Sequence, residues 1–452
     1  MNRRDLLLTL CATASTFAAQ RARRPNIVFI LADDLGYGDL GCYGQKQIAT
    51  PRIDELSRNG LRFTHAYAGS PVCAPSRCCL ITGQHSGHGT IRWNTSAEGK
   101  RVPLKTGEHT LPGQLKALGY RTGMIGKWGL GEAHTSGIPT RQGFDEFFGY
   151  LNQDHALQHY PAHLWHNEQE VFPSGNQGGR TSAYAQDLFL KETLQFIENH
   201  KAQPFFLYLP YTLPHADSDA GRHGGVTYPV TENRYAEQSW PRDEQGYAAM
   251  VTRLDGDVGQ IVDKLRALQL EDNTLIIFTS DNGPAKDGTH RPEFFGSSGA
   301  LRGMKGQVYE GGVRVPTIAS WKGKIAAGTT TDQPVAMWDW LPTLVGIAGG
   351  RAQTGIDGSD QSAVLRGGKR QGEVAFYWES HGDSFVQGAR LGNYKGVRAQ
   401  GRTEVYDLSS DPAEKRNLAE ESVELSKRFQ AFFDSARTPS PEFPPVREKR
   451  RR

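Results

Sequence analysis

The sequence predicts an α/β protein: a large domain with a central, mostly parallel sheet flanked by helices, followed by a small C-terminal α+β subdomain. Three observations carry this. Continuous apolar runs, the signature of strands buried on both faces, recur at residues 26–31, 204–209 and 274–278. Stretches with apolar residues at helical spacing lie between them, and strands alternating with helices imply a parallel sheet. After about Gly350 the pattern changes to short strand-like pieces joined by Gly-rich turns.

Residues 1–24 read as an export signal and leader. Asn2-Arg3-Arg4-Asp5 is charged, residues 6–14 are apolar, and Ala18-Ala19 offers small residues for cleavage. Arg3-Arg4-Asp5-Leu6-Leu7 has the form of a twin-arginine signal, so an exported protein, periplasmic or secreted, is expected. The apolar run is too short to span a bilayer, and no later segment is long and apolar enough, so no stable membrane insertion is expected. A catalytic domain is expected over 25–350. Its first strand ends in Ala32-Asp33-Asp34, the run at 204–209 leads to Pro214-His215, and the run at 274–278 ends in Ser280-Asp281-Asn282-Gly283. Thr110 can cap a helix that has Pro112 in its first turn and Gly119 just past its end. Residues 182–200 and 245–270 also have helical spacing. The subdomain is expected over 351–437, with strands at 374–379, 385–391 and 404–408 and a closing helix at 422–436. Residues 438–452 are Pro-rich, end in Arg447-Glu448-Lys449-Arg450-Arg451-Arg452, and are expected to form a disordered basic tail.

Among the 452 residues, Lys and Arg total 52 against 49 Asp and Glu, for a net charge of +3. So even a balance argues against a nucleic-acid or membrane-surface partner. Of the five cysteines, Cys11 leaves with the signal and Cys78 and Cys79 are adjacent, which suits no common disulfide framework. There is no CxxC pair with zinc spacing. Cys42, Cys78 and Cys79 read as buried thiols.

In open α/β sheets, ligands bind beyond the carboxyl ends of the strands. Asp33, Asp34, Asp281 and Asn282 stand at two such ends, a hard-oxygen set that favours calcium or magnesium over zinc, and calcium for its tolerance of irregular geometry. Either pair alone reads as a turn; together they read as a metal site. The run Cys73-Ala74-Pro75-Ser76-Arg77 suits a helix start, where Cys73 and Arg77 share one face and an anion is favoured.

Cys73 to Arg77, followed by Leu80-Ile81-Thr82-Gly83, resembles the signature of the formylglycine-dependent sulfatases. The resemblance covers most of the mature chain. It includes Asp33-Asp34-Leu35-Gly36-Tyr37-Gly38, Thr50-Pro51-Arg52-Ile53-Asp54, Gly126-Lys127-Trp128, Leu301-Arg302-Gly303-Met304-Lys305-Gly306, Glu404-Val405-Tyr406-Asp407-Leu408 and Asn417-Leu418. It implies an alkaline-phosphatase-like fold and a sulfuric ester hydrolase that needs Ca2+ and a maturase. The maturase oxidises Cys73 to formylglycine, whose hydrated aldehyde, resting on the metal, attacks sulfur. By resemblance, Cys73 joins Asp33, Asp34, Asp281 and Asn282 around the metal. Arg77 orients the nucleophile, Lys127 and Lys305 bind sulfate oxygens, and His215 protonates the leaving oxygen.

One position departs. The family carries His two residues after the motif lysine, and this chain has Gly129, which transfers no proton. Either another base (His134 or a water) serves, or turnover is slow, or the protein is a non-catalytic sulfated-glycan binder. The intact remainder of the site favours the first. The mixed polar and aromatic loop over 145–165 suits a sugar, and the resemblance implies galactose or N-acetylgalactosamine sulfate, with the 4-sulfate as the expected position. His155, His159 and Arg291 are the candidate sugar contacts. A phosphodiester or phosphonate monoester hydrolase of the same superfamily is the alternative enzyme.

Overall fold

The computed structural model describes residues 24–217 and 234–445. The expected export signal therefore lies outside the described residues, apart from Arg24. Three central strands fall where the apolar runs are: β1 (Asn26–Ala32), β8 (Phe205–Pro210) and β9 (Thr274–Ser280). With β2 (Leu61–Phe63), β4 (Arg121–Lys127), β5 (Glu146–Tyr150), β6 (Leu164–His166), β7 (Gln169–Val171), β10 (Thr317–Ser320) and β11 (Thr329–Thr331) they form a ten-stranded sheet. Its order is β11-β2-β10-β9-β1-β8-β4-β5-β6-β7. The centre, β9-β1-β8-β4-β5, is parallel throughout. Antiparallel β10 adjoins β9, and the β6–β7 ribbon closes the other edge. β3 (Ala66–Tyr67) pairs separately with β12 (Val335–Ala336).

Side chains alternate across a strand, so β1 feeds two cores. Val28, Ile30 and Ala32 pack with α1 (Pro51–Arg58), α4 (Ala185–His200) and α5 (Arg242–Ala267). Ile27, Phe29 and Leu31 pack with α2 (Cys73–Thr82), α3 (Leu111–Ala117) and α6 (Trp340–Ile347). Each fully buried side chain of this size contributes about 1.5–3 kcal/mol. Thr110 caps α3 as expected, its Oγ1 accepting the Gly113 N–H at 3.2 Å.

The strand that carries Lys127, β4, has no continuous apolar run, because Gly123 and Gly126 interrupt it. Both are packing requirements. A Cβ at 123 would come 2.4 Å from the ring of Phe196, and one at 126 would come 2.2 Å from the Pro210 carbonyl.

The C-terminal subdomain is a four-stranded antiparallel sheet, β13 (Ala375–His381), β14 (Phe385–Leu391), β15 (Tyr394–Ala399) and β16 (Arg402–Asp407), with α7 (Val423–Ser435) closing it. The sequence reading lacks β15, where Gly396 breaks the pattern so that Phe429 of α7 can lie against it: a Cβ there would be 2.3 Å from that ring. Val364 and Leu365 pack in the large core, and the small sheet begins with β13. The expected disordered tail is corrected over its described part. Phe443 is buried, the Ala97 N–H donates to the Glu442 carbonyl (2.9 Å), and the Arg92 guanidinium donates to the Thr438 carbonyl (2.8 Å). Residues 446–452 lie outside the described residues.

Candidate active site

The carboxyl ends of β1, β9 and β4 and the start of α2 converge on one buried cluster. Asp33 and Asp34 follow β1. Asp34 takes φ +67°, a left-handed conformation that costs a non-glycine residue about 1–3 kcal/mol. That turn points the two successive carboxylates into one site, and the Asp281 carboxylate steadies it by accepting the Asp34 N–H at 3.2 Å. Asp281 and Asn282 follow β9, and Lys127 is the last residue of β4.

Helix α2 begins at Cys73, so Cys73 and Arg77 lie on one face. The Cys73 Sγ lies 3.3 Å from Asp33 Oδ1. Arg77 donates from Nε (3.1 Å) and Nη2 (2.8 Å) to Asp281 Oδ2 and from Nη1 to the Lys127 carbonyl (2.6 Å). Lys127 Nζ donates to Asp33 Oδ2 at 2.6 Å, and Lys305 Nζ to Asp34 Oδ2 at 2.7 Å. His215 Nδ1 donates to the Ala216 carbonyl (2.7 Å), which leaves Nε2 as the acceptor facing Lys305 Nζ at 3.2 Å.

The electrostatics follow from this crowding. Burial raises the Asp33 carboxyl, but the charges of Lys127 and Arg77 outweigh it and hold the group well below the usual carboxylate range. Burial and the adjacent Asp33 push Asp281 up to about 7, against the pull of Arg77. Burial, then Lys305, lowers His215, keeping the imidazole neutral. Burial pushes the Cys73 thiol far up, so the unmodified residue is a poor nucleophile.

These residues fit a hard divalent cation. Ligand atoms of Asp33, Asp34, Cys73 and His215 lie within 4.8 Å of one another. The Asn282 Oδ1 is buried without a hydrogen-bond partner among the described residues, while its Nδ2 donates to Asp34 Oδ1 at 2.7 Å. A buried orphan carbonyl beside three carboxylates is what a metal would satisfy.

A second group, His85, His88 and Asp357, lies at the far end of α2, but its chemistry is different. The Gly87 N–H donates to His85 Nδ1 at 3.1 Å, so the proton of the neutral ring sits on Nε2. A metal-binding imidazole needs the reverse, a free nitrogen with the other N–H donating outward. The group instead ties α2 to the loop at 357–358, whose two N–H groups donate to the Gly83 carbonyl at 3.0 and 3.1 Å.

The other expected residues are less central. His159, an expected sugar contact, is buried, and its Nε2 lies 3.0 Å from the His215 carbonyl, which places it directly behind His215. His155 is half-buried, stacked on His163 at 4.2 Å and edge-on to Tyr150. Arg291 is exposed, with its Nη1 on the carbonyls of Gly288 and His290. His134 is exposed as well. Cys78 and Cys79 are buried as expected, whereas Cys42 is only partly so. Sequence reasoning missed Gln153, which packs against Gly129 and leaves no signal in the local pattern.

The family model for Sulfatase matches residues 25–350, and that for the C-terminal region of N-sulphoglucosamine sulphohydrolase matches 304–433. The chain is 35% identical to human arylsulfatase A over 92% of this chain and 86% of that protein. It is 33% identical to N-acetylgalactosamine-6-sulfatase of Canis lupus familiaris, over 86% and 74% respectively. The crystal structure of Ps i-CgsB in complex with k-i-k-neocarrahexaose superposes with a TM-score of 0.81 at 27% identity, covering 93% of this chain and 95% of that one. Sulfatases use a formylglycine and a metal ion, and the carboxylate cluster beside Cys73 has the donors for both. By its sequence over both regions, and by its fold, the chain belongs to the sulfatase family and is a sulfuric ester hydrolase.

Proposed function

We propose that this sulfatase is exported and removes sulfate from a carbohydrate, a galactose or N-acetylgalactosamine sulfate, with Ca2+ and a formylglycine made from Cys73 by a maturase. One observation carries the reading: three carboxylates, three cationic side chains and the Cys73 thiol meet in one buried cluster at the strand ends. The thiol stands where an oxygen of the hydrated aldehyde would be. When present, the modified residue supplies an oxygen nucleophile, and the calcium ion stabilises its ionised form. Asp33, Asp34, Asp281 and Asn282 would hold the metal. With Arg77, Lys127 and Lys305 facing Asp33, Asp34 and Asp281, the cluster is near neutral; a divalent cation leaves it positive, as a sulfate monoester requires. Lys127 and Lys305 would bind sulfate oxygens. Arg77 holds Asp281 and the Lys127 backbone in place. The Lys305–His215 pair delivers the proton that the leaving alcohol needs.

The sugar class is supported by the names of the relatives, one of which acts on the 6-sulfate of N-acetylgalactosamine, and by the polar and aromatic loop that follows β5. Arg291 and His155 are the contacts we assign to it. The test combines two measurements on protein made with a maturase. Mass spectrometry of the Cys73 peptide should show loss of the elements of hydrogen sulfide and gain of one oxygen. Sulfate release should then be compared on the 4-sulfate and 6-sulfate of N-acetylgalactosamine and galactose, beside an aryl sulfate and an aryl phosphodiester. An active enzyme with unmodified Cys73, or a preference for the phosphodiester, overturns the mechanism or the substrate class. Binding of the sulfated sugars without release would establish the binder reading that Gly129 raises.

A further inference from the structure

Gly129 lies two residues beyond Lys127 at φ +82°. A Cβ added there would lie 2.0 Å from Gln153 Nε2 and 3.0 Å from its Cδ. The Gln153 carboxamide thus occupies the space in which a side chain at 129 would begin.

Local structure explains how it gets there. The Trp128 N–H donates to the Tyr150 carbonyl and the Gly129 N–H to the Leu151 carbonyl, both at 2.9 Å, so residues 150–151 run beside 128–129. Asn152 then turns the chain, its Oδ1 accepting the His155 N–H at 2.9 Å and its carbonyl the Ala156 N–H at 3.3 Å. Within that turn Asp154 faces outward to Arg101 at 2.5 Å, while Gln153 is 6% exposed. Its Nε2 is fully buried and has no hydrogen-bond partner among the described residues.

A buried amide donor left unpaired is costly, and in native proteins it marks a missing water, ion or ligand. Gln153 sets this amide donor against the residues that follow Lys127, whose Nζ lies 2.6 Å from Asp33 and whose carbonyl takes the Arg77 N–H. A donor without an acceptor, against the residues just beyond Lys127, complements an anion.

We propose that Gln153 stands in for the side chain that Gly129 lacks, its carboxamide N–H meeting an oxygen of the bound sulfate group beside Lys127. The proposal rests on the sulfatase reading of the site.

The probe is inorganic sulfate, titrated calorimetrically into calcium-loaded protein with Cys73 unmodified, so that binding is read apart from turnover. Gln153→Ala removes the donor and should weaken sulfate about tenfold. Gln153→Glu has the same shape but sets a carboxylate against the anion, and should weaken it further than the alanine variant. A purely structural role would order the variants by melting temperature and would not separate them by charge. The proposal is overturned if wild type binds no sulfate, if both variants bind within twofold of wild type, or if their affinities follow their melting temperatures. Sulfate release by the modified wild-type enzyme is scored separately: its failure removes the enzyme reading, whereas unchanged sulfate binding in the variants removes only the role of Gln153.

Discussion

Replacing Arg77 by methionine keeps the aliphatic stem and removes the guanidinium, which is fully buried and bonds to Asp281, Asp33 and the Lys127 carbonyl at once. Deleting one partner of a buried ion pair costs about 3–5 kcal/mol, because the other charge is left uncompensated. Here the loss has a ceiling, since Asp281 can escape it by taking up a proton. Its carboxyl already sits at about 7 with Arg77 present, and without Arg77 it rises further. A carboxyl raised in the folded state stabilises fully below its unfolded value, and that stability is lost as pH climbs through the folded value. The penalty of Arg77→Met therefore has a part already present at pH near 5, from the ionised Asp33, and should grow by pH near 8 by no more than about 1.4 kcal/mol, the cost of protonating there a carboxyl that sits at about 7. Arg77→Lys keeps the charge without the fork and should fall between. Urea unfolding of chelator-treated protein at the two pH values measures this. A loss below about 1 kcal/mol at the higher pH, or an equal loss at both, would refute the view that Arg77 compensates Asp281.

Four further outcomes follow from the same structure. Chelation should abolish sulfate release, with Ca2+ restoring it better than Mg2+, which demands near-ideal octahedral geometry. Asn282→Ala should weaken Ca2+ by at least the ~10–100-fold typical of losing even an outer metal partner, as read by calcium titration. At the domain interface, burial raises the Glu414 carboxyl to about 8, with Lys395 pulling it down and Glu310 pushing it up. The folded state then holds a proton that the unfolded chain releases near 4.5, so stability falls as pH rises from there to about 8. Glu414→Gln should flatten that slope in thermal unfolding across the window. Phe443→Ala should cost about 3 kcal/mol, the low end for a buried Phe, because the ring is 1% exposed and packs 5.9 Å from His381; no change in melting would mean the segment is not docked.

What the sequence made legible is what its periodicity encodes. β1, β8 and β9 are buried on both faces and read as unbroken apolar runs, and Asp33, Asp34, Asp281 and Asn282 were found because they end two of those runs. β4 and β15 were hidden by glycines whose positions answer to Phe196, Pro210 and Phe429, partners distant in sequence and invisible to local pattern. A histidine in a polar loop such as His159 is ambiguous in the sequence, and its contact with the His215 carbonyl depends on a partner distant in sequence. The tail from 438 has the composition of a disordered segment, yet one aromatic residue in it finds a buried site. Gln153 was illegible for the same reason as β4: its meaning depends on the space above Gly129.

The burial of Cys73 has a consequence for the life history of the chain. In the folded protein the thiol is 2% exposed, and every residue of its ten-residue helix is buried. A catalyst that must grip the Cys73 segment as an extended chain has no hold on it once this helix is docked. On the proposal that Cys73 is oxidised by a maturase, that oxidation would fall in the interval between synthesis of the segment and its docking beneath the sheet. The helix closes that interval once, and a chain that folds first is locked in its unmodified form. On that proposal, competition between folding and maturation, rather than the finished architecture, would set what fraction of the molecules can turn over.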